Sequence, residues 1–123
     1  MTELMTEEQE QIHLMTWAKL NEFRFPQLKL LFHIPNGGKR SKREAARFKA
    51  AGVKAGVPDL FLPVPCNGYT GLFIELKRAQ GGVVSEAQKQ WLKDLARNGY
   101  AAYVCNGWMD AAEVIRRYLT NDG

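Results

Sequence analysis

Asp59-Leu60-Phe61-Leu62-Pro63-Val64, then Pro65-Cys66-Asn67-Gly68-Tyr69-Thr70-Gly71, then Leu72-Phe73-Ile74-Glu75-Leu76-Lys77: these nineteen residues set the architecture of the chain. Two apolar runs of strand length flank a connection that carries an Asn-Gly pair, which predicts an antiparallel hairpin. Pro63 and Pro65 cannot donate to a ladder, so the end of the first strand is an edge or leaves the sheet. Alternation in the second strand puts Phe73, Glu75 and Lys77 on one face and Leu72, Ile74 and Leu76 on the other.

Beyond this hairpin, Gly81-Gly82 interrupts the chain and Ser85-Glu86-Ala87-Gln88 forms a capping box. Its helix runs to Gly99 with Ala87, Trp91, Leu92 and Leu95 toward the sheet, and Tyr100 to Cys105 reads as the next strand. A strand-helix-strand unit of this kind is right-handed and parallel. Asp110-Ala111-Ala112-Glu113 opens a last helix with Ala111, Val114, Ile115 and Tyr118 facing in. Upstream, Thr6-Glu7-Glu8-Gln9 is another capping box. It starts a helix to about Asn21 on which Glu10, Leu14, Trp17 and Ala18 share a face. Lys29 to Ile34 reads as a strand, followed by a turn at Pro35-Asn36-Gly37-Gly38. Ser41-Lys42-Arg43-Glu44, a third capping box, begins a helix through about Ala51 that Gly52 ends. Its apolar residues are only Ala45, Ala46, Phe48, Ala50 and Ala51, so it is expected half exposed. The order helix, strand, helix, strand, strand, helix, strand, helix predicts an α/β fold with helices flanking a small mixed sheet. A chain of 123 residues supports one hydrophobic core, so a single domain over 1–123 is expected.

Lys and Arg number 17 against 13 Asp and Glu, a net charge of +4. The surplus is local: Lys39, Arg40, Lys42, Arg43, Arg47, Lys49 and Lys54 are opposed in their own stretch only by Glu44. Such a field attracts phosphate backbones and also suits a solvated surface. Residues 1–10 are acidic, with no basic and apolar leader pattern, and no apolar run approaches the ~20 residues needed to cross a bilayer. A cytoplasmic protein without membrane contact is expected. Cys66 and Cys105 read as free thiols. Together with His13 and His33 they form no close-spaced ligand pair, which argues against zinc.

The hairpin carries chemistry. Glu75 and Lys77 project the same way, ~6.6 Å apart along an extended strand. Asp59 begins the partner strand, and pairing it near Glu75 or Leu76 lets two carboxylates share one cation. A charge inside so apolar a strand costs several kcal/mol unless it is liganded or paired. Mg²⁺ prefers oxygen ligands and keeps several waters, and the Leu76 carbonyl lies between the two side chains. A phosphodiester is anionic and resists attack, and a cation would screen it, acidify a water and stabilise the leaving oxygen. Lys77 could stabilise charge on the phosphoryl oxygens, or orient or deprotonate the water.

Gly56-Val57-Pro58-Asp59 with Glu75-Leu76-Lys77 resembles the PD-(D/E)xK nuclease signature. The stretches Phe32-His33-Ile34-Pro35-Asn36-Gly37-Gly38, Gly52 to Leu60, Gly71 to Lys77 and Ser85 to Trp91 resemble the VRR-NUC branch of that superfamily, in the family's order and from about Glu7 to Tyr118. The resemblance implies a restriction-endonuclease-like core and Mg²⁺ or Mn²⁺ held by Asp59, Glu75, the Leu76 carbonyl and Glu10 on the first helix. It further implies Lys77 as the catalytic lysine and Gln88 as a residue touching the site. His33 and Asn36 flank the same end of the sheet. Members are similar to Holliday-junction resolvases, and stand-alone viral and bacterial ones act as homodimers on branched DNA, which would bring Lys39, Arg40, Lys42, Arg43, Arg47, Lys49 and Lys54 against phosphates. Trp108, Met109 and Tyr69 are interface or stacking candidates. The alternatives are a flap or single-strand-specific nuclease and a non-catalytic binder of branched DNA.

Overall fold

The Thr6 and Ser85 hydroxyls each accept a hydrogen bond from the amide three residues on, and Oε1 of Gln9 and of Gln88 accepts one from the cap amide. These reciprocal caps satisfy otherwise orphaned N–H groups and fix where two of the helices begin. The computed structural model describes residues 4–35 and 41–120. In chain order the elements are α1 (Glu7–Leu20), a 3₁₀ turn (Pro26–Leu30), β1 (Phe32–His33), α2 (Lys42–Ala50), β2 (Leu60–Leu62), β3 (Leu72–Lys77), α3 (Glu86–Arg97), β4 (Ala101–Asn106) and α4 (Trp108–Thr120).

The hairpin expected from 59–77 is present and antiparallel, with Leu60 opposite Ile74, Phe61 opposite Phe73 and Leu62 opposite Leu72. Its tip closes through paired backbone bonds between Cys66 and Tyr69, with Asn67 at φ 52 and Gly68 at φ 87. Both central residues thus take the left-handed conformation that a tight hairpin turn demands and Asn-Gly tolerates. β3 continues into a parallel pairing with β4, and β1 adds to the other side of β2. The result is a mixed four-stranded sheet in the order β1-β2-β3-β4, flanked by α-helices as a restriction-endonuclease-like core requires.

The core lies between the sheet and the pair α1 and α4. Leu72, Ile74 and Leu76 are buried there with Leu60 and Leu62, against Leu14 and Ala18 of α1 and Ala111, Ile115 and Tyr118 of α4. Full burial of a leucine contributes about 1.5–3 kcal/mol relative to exposure, so this layer holds β3 in place. α2 buries no residue. Among the described residues no helix is long and apolar enough to cross a membrane.

Four details differ from expectation. Lys29 to Ile34 is a strand only at Phe32 and His33, because Pro26 starts a 3₁₀ turn that buries Leu28. β2, expected from Asp59 to Val64, spans only Leu60–Leu62 and leaves the sheet immediately before Pro63, as the prolines require. Ser41 caps α2 by accepting from the Glu44 amide, but the Glu44 carboxylate bonds the Ser41 hydroxyl, so the box is not reciprocal. α4 starts at Trp108 instead of Asp110, and its Trp108 amide is capped by the Glu10 carboxylate at 3.0 Å. A cap 98 residues away in sequence leaves no local signal. The turn residues Asn36, Gly37 and Gly38 lie outside the described residues.

Candidate active site

β2 starts at Leu60 opposite Ile74, whereas β3 runs on to Lys77. Glu75, Leu76 and Lys77 therefore have β4 on one side and a gap on the other. Asp59, the residue just before β2, fills the rim of that gap, and its Oδ2 accepts from the Leu76 amide at 2.8 Å. In an extended strand the N–H and C=O of one residue share an edge, so the Leu76 carbonyl lies on the Asp59 side, beyond the start of the β2–β3 ladder. Lys77 Nζ is 3.2 Å from Glu75 Oε2, which confirms that the two side chains share a face. Glu75 is 2% exposed and Lys77 6%.

Gln88 completes the arrangement. Its Nε2 donates to Glu75 Oε2 at 3.0 Å, while its Oε1 accepts from the Ser85 amide in the α3 capping box. The cap thus fixes which end of the Gln88 amide meets the carboxylate. The Asp59 carbonyl accepts from the Ile34 amide at 2.7 Å, and His33 Nδ1 lies 2.9 Å from the same oxygen. A carbonyl only accepts, so Nδ1 carries a proton and β1 is tied to the Asp59 backbone.

These groups open into a cavity of about 710 Å³ lined by Asp59, Glu75, Leu76, Gln88, Val57, His33 and Pro35, and by Glu7, Glu8 and Gln11 of α1. The N-terminal turns of α1 and α3 both border it, and helix N-termini favour anions. In the metal-free protein the Glu75 carboxyl is pushed up to about 8, chiefly by burial and next by the Asp59 carboxylate, with Lys77 opposing. Glu75 Oε1 is buried with no hydrogen-bond partner. A buried carboxylate oxygen with no donor, beside a second carboxylate, suits coordination of a cation. Among the described residues no cluster of three or more His, Cys, Asp or Glu side chains is gathered to hold a metal. Two carboxylates and a carbonyl fit Mg²⁺ or Mn²⁺, which complete their shells with water and substrate oxygens.

Asp59, Glu75, Leu76, Lys77 and Gln88 are thus brought together. Glu10 is not brought into the cavity. It is 2% exposed, and its two oxygens accept from the Ala79 amide at 3.2 Å and the Trp108 amide at 3.0 Å. Its apolar helical face pointed to burial, but backbone N–H groups instead of a cation satisfy it. Glu10→Ala strands two amides and is expected to lower stability by about 2–4 kcal/mol, measured by urea unfolding; an unchanged midpoint would contradict this role. The acids of α1 that do line the cavity are Glu7 and Glu8. The available signal was the i,i+4 spacing of Glu7 and Gln11, hidden because acids in a first helical turn ordinarily complement the dipole.

Lys42, Arg43, Arg47 and Lys49 are exposed along α2, as is Lys54 after it; Lys39, Arg40 and Asn36 lie outside the described residues. Trp108 is half-buried and stacks on His13 with ring centroids 6.0 Å apart, while Met109 and Tyr69 are exposed. Neither cysteine forms a disulfide, and burial pushes the Cys105 thiol up to about 12, which leaves it inert.

Residues 5–109 match the family model of the VRR-NUC domain. A solved structure described as a VRR_NUC domain protein is 35% identical and superposes with a TM-score of 0.84, the match covering 97% of this chain and 92% of that one. No curated protein matches the chain.

Proposed function

This chain belongs to the VRR-NUC domain family of nuclease domains, and on that premise we propose that it is a divalent-metal-dependent, structure-selective DNA endonuclease. The observation that carries the reading is the orphaned Glu75 Oε1, buried beside Asp59 and beneath a cavity bordered by two helix N-termini. Asp59, Glu75 and the Leu76 carbonyl would hold Mg²⁺ or Mn²⁺, with Glu7 or Glu8 as the carboxylate from α1 in place of Glu10. When bound, such an ion screens the phosphodiester and acidifies an attacking water.

The remaining work falls to side chains. Lys77, paired with Glu75 at 3.2 Å, is a fixed donor that stabilises negative charge developing on the phosphoryl oxygens. Gln88 holds Glu75 Oε2 and leaves Oε1 for the cation. Asp59 is oriented by the Leu76 amide, so both carboxylates are positioned before substrate arrives.

Exposed Lys42, Arg43, Arg47 and Lys49 on α2, with Lys54, suit contacts to phosphates, which position DNA without reading its sequence. The substrate proposed is therefore branched DNA, cut by a homodimer of single-domain protomers in the manner of a Holliday-junction resolvase, since a two-fold dimer matches a two-fold junction. A panel of labelled four-way junction, flap, single-stranded and linear duplex DNA in Mg²⁺ tests this. Preferential symmetric cutting of the junction is expected. Preference for the flap or single strand would overturn the resolvase reading, and retention of DNA with no cut in Mg²⁺ or Mn²⁺ would overturn the enzyme.

A further inference from the structure

Gly81 and Gly82 stand side by side after β3, and they are glycines for different reasons. Gly81 has φ +78, a left-handed conformation that side-chain-bearing residues avoid. Gly82 is outside that region, so conformational freedom does not account for it. Space does. A Cβ on Gly82 would lie 2.8 Å from Lys77 Cβ, 3.3 Å from its Cγ and 3.4 Å from its Cδ.

The bare Cα of Gly82 therefore lies along the stem of Lys77. Contact with Cβ cannot be relieved by a change of Lys77 rotamer, because Cβ is fixed by the backbone of β3, where Lys77 pairs with Asn106 of β4. Lys77 is consequently held at both ends, its stem under Gly82 and its Nζ 3.2 Å from Glu75 Oε2. A lysine stem has four rotatable bonds and samples many rotamers when uncovered; here it is left 6% exposed.

We propose that Gly82 is a positioning residue for Lys77: its missing side chain lets the loop after β3 close over the lysine stem and hold the ammonium against Glu75. The inference rests on the nuclease reading of the same site. Any side chain at 82 lifts the loop and frees the ammonium to leave its place, and a misplacement of about 1 Å costs up to about 100-fold in rate.

The test compares Gly82→Ala with Gly81→Ala, which strains the same loop but whose added Cβ would meet only the guanidinium end of Arg78, at 3.3 Å from its Nη2. Gly82→Ala is expected to lower kcat by about 10–100-fold with KM, and DNA affinity measured in Ca²⁺, within about twofold of wild type. Gly81→Ala should keep kcat within about twofold. Thermal unfolding supplies a readout independent of cleavage. Gly82→Ala lowers Tm in the wild-type background and has no such effect in Lys77→Gly, which has no Cβ to meet. If Gly82→Ala does not fold alone, recovery of folding in the double variant supports the contact. Full kcat in Gly82→Ala, or an equal loss of Tm in both backgrounds, overturns the proposal while a cutting wild type leaves the nuclease reading intact. A wild type that cuts no DNA overturns both.

Discussion

Lys77→Ala lowers metal-dependent DNA cleavage by about 10²–10⁴-fold, the range for loss of a positioned charge donor or proton-transfer group. The effect is expected in kcat, measured under single turnover, with DNA affinity close to that of wild type, because one buried lysine adds little to binding spread over exposed basic residues. The variant should fold, since the side chain contributes to no part of the layer between the sheet and α1 and α4. Circular dichroism and a melting curve check that point. Lys77→Arg should not restore the rate, because a planar guanidinium cannot replace an ammonium in the narrow space between Gly82 and Glu75. A Lys77→Ala protein that cuts at the wild-type rate would remove this lysine from the chemistry.

Asp59→Ala is expected to abolish both Mn²⁺ binding and cleavage. Besides removing a ligand, it strands the Leu76 amide, whose partner is Asp59 Oδ2. The pH dependence of Mn²⁺ binding tests the same pair of carboxylates. In the metal-free protein Glu75 is pushed up to about 8 by burial and by Asp59, so below that pH an entering cation must displace its proton. Mn²⁺ affinity should therefore rise by up to about tenfold per pH unit toward pH 8 and flatten above it. The stability of the metal-free protein runs the other way. A carboxyl raised from 4.5 to about 8 binds more protons folded than unfolded between those values, so its contribution is complete below 4.5 and is lost as pH rises through about 8. Asp59→Ala removes one cause of the shift and moves this loss to higher pH onset in no case, but narrows its window from the upper end. Calorimetric titration at pH 6, 7 and 8 with parallel urea unfolding measures both. A wild-type affinity for Mn²⁺ that is flat across this range would contradict the assignment.

The legible parts of the sequence were those with local causes. Asn67-Gly68 specified the hairpin turn, alternation put Glu75 and Lys77 on one face, and the Thr6 and Ser85 boxes located two helix starts. The Asp59 position followed from the hairpin register, since Leu60 opposite Ile74 brings Asp59 beside Glu75 and Leu76. What was not legible depends on distant partners. The start of α4 is capped by Glu10, and the sequence does not distinguish a buried carboxylate satisfied by distant amides from one satisfied by a cation. Which acids of α1 border the cavity depends on the rotation of that helix over the sheet, and the sequence presents Glu7, Glu8 and Glu10 as near equivalents. The role of Gly82 was equally hidden, because only the folded loop shows what its Cα touches.

Titrating Mn²⁺ at pH 8 into wild type and Glu75→Ala in the presence of labelled branched DNA, with metal occupancy and strand cutting read in the same samples, tests whether Asp59 and Glu75 form the metal centre of a nuclease. Occupancy and cutting by wild type should rise together, EDTA should abolish both, and Glu75→Ala should show neither. Cutting that persists in EDTA, or Glu75→Ala that binds Mn²⁺ and cuts as wild type does, would contradict that assignment.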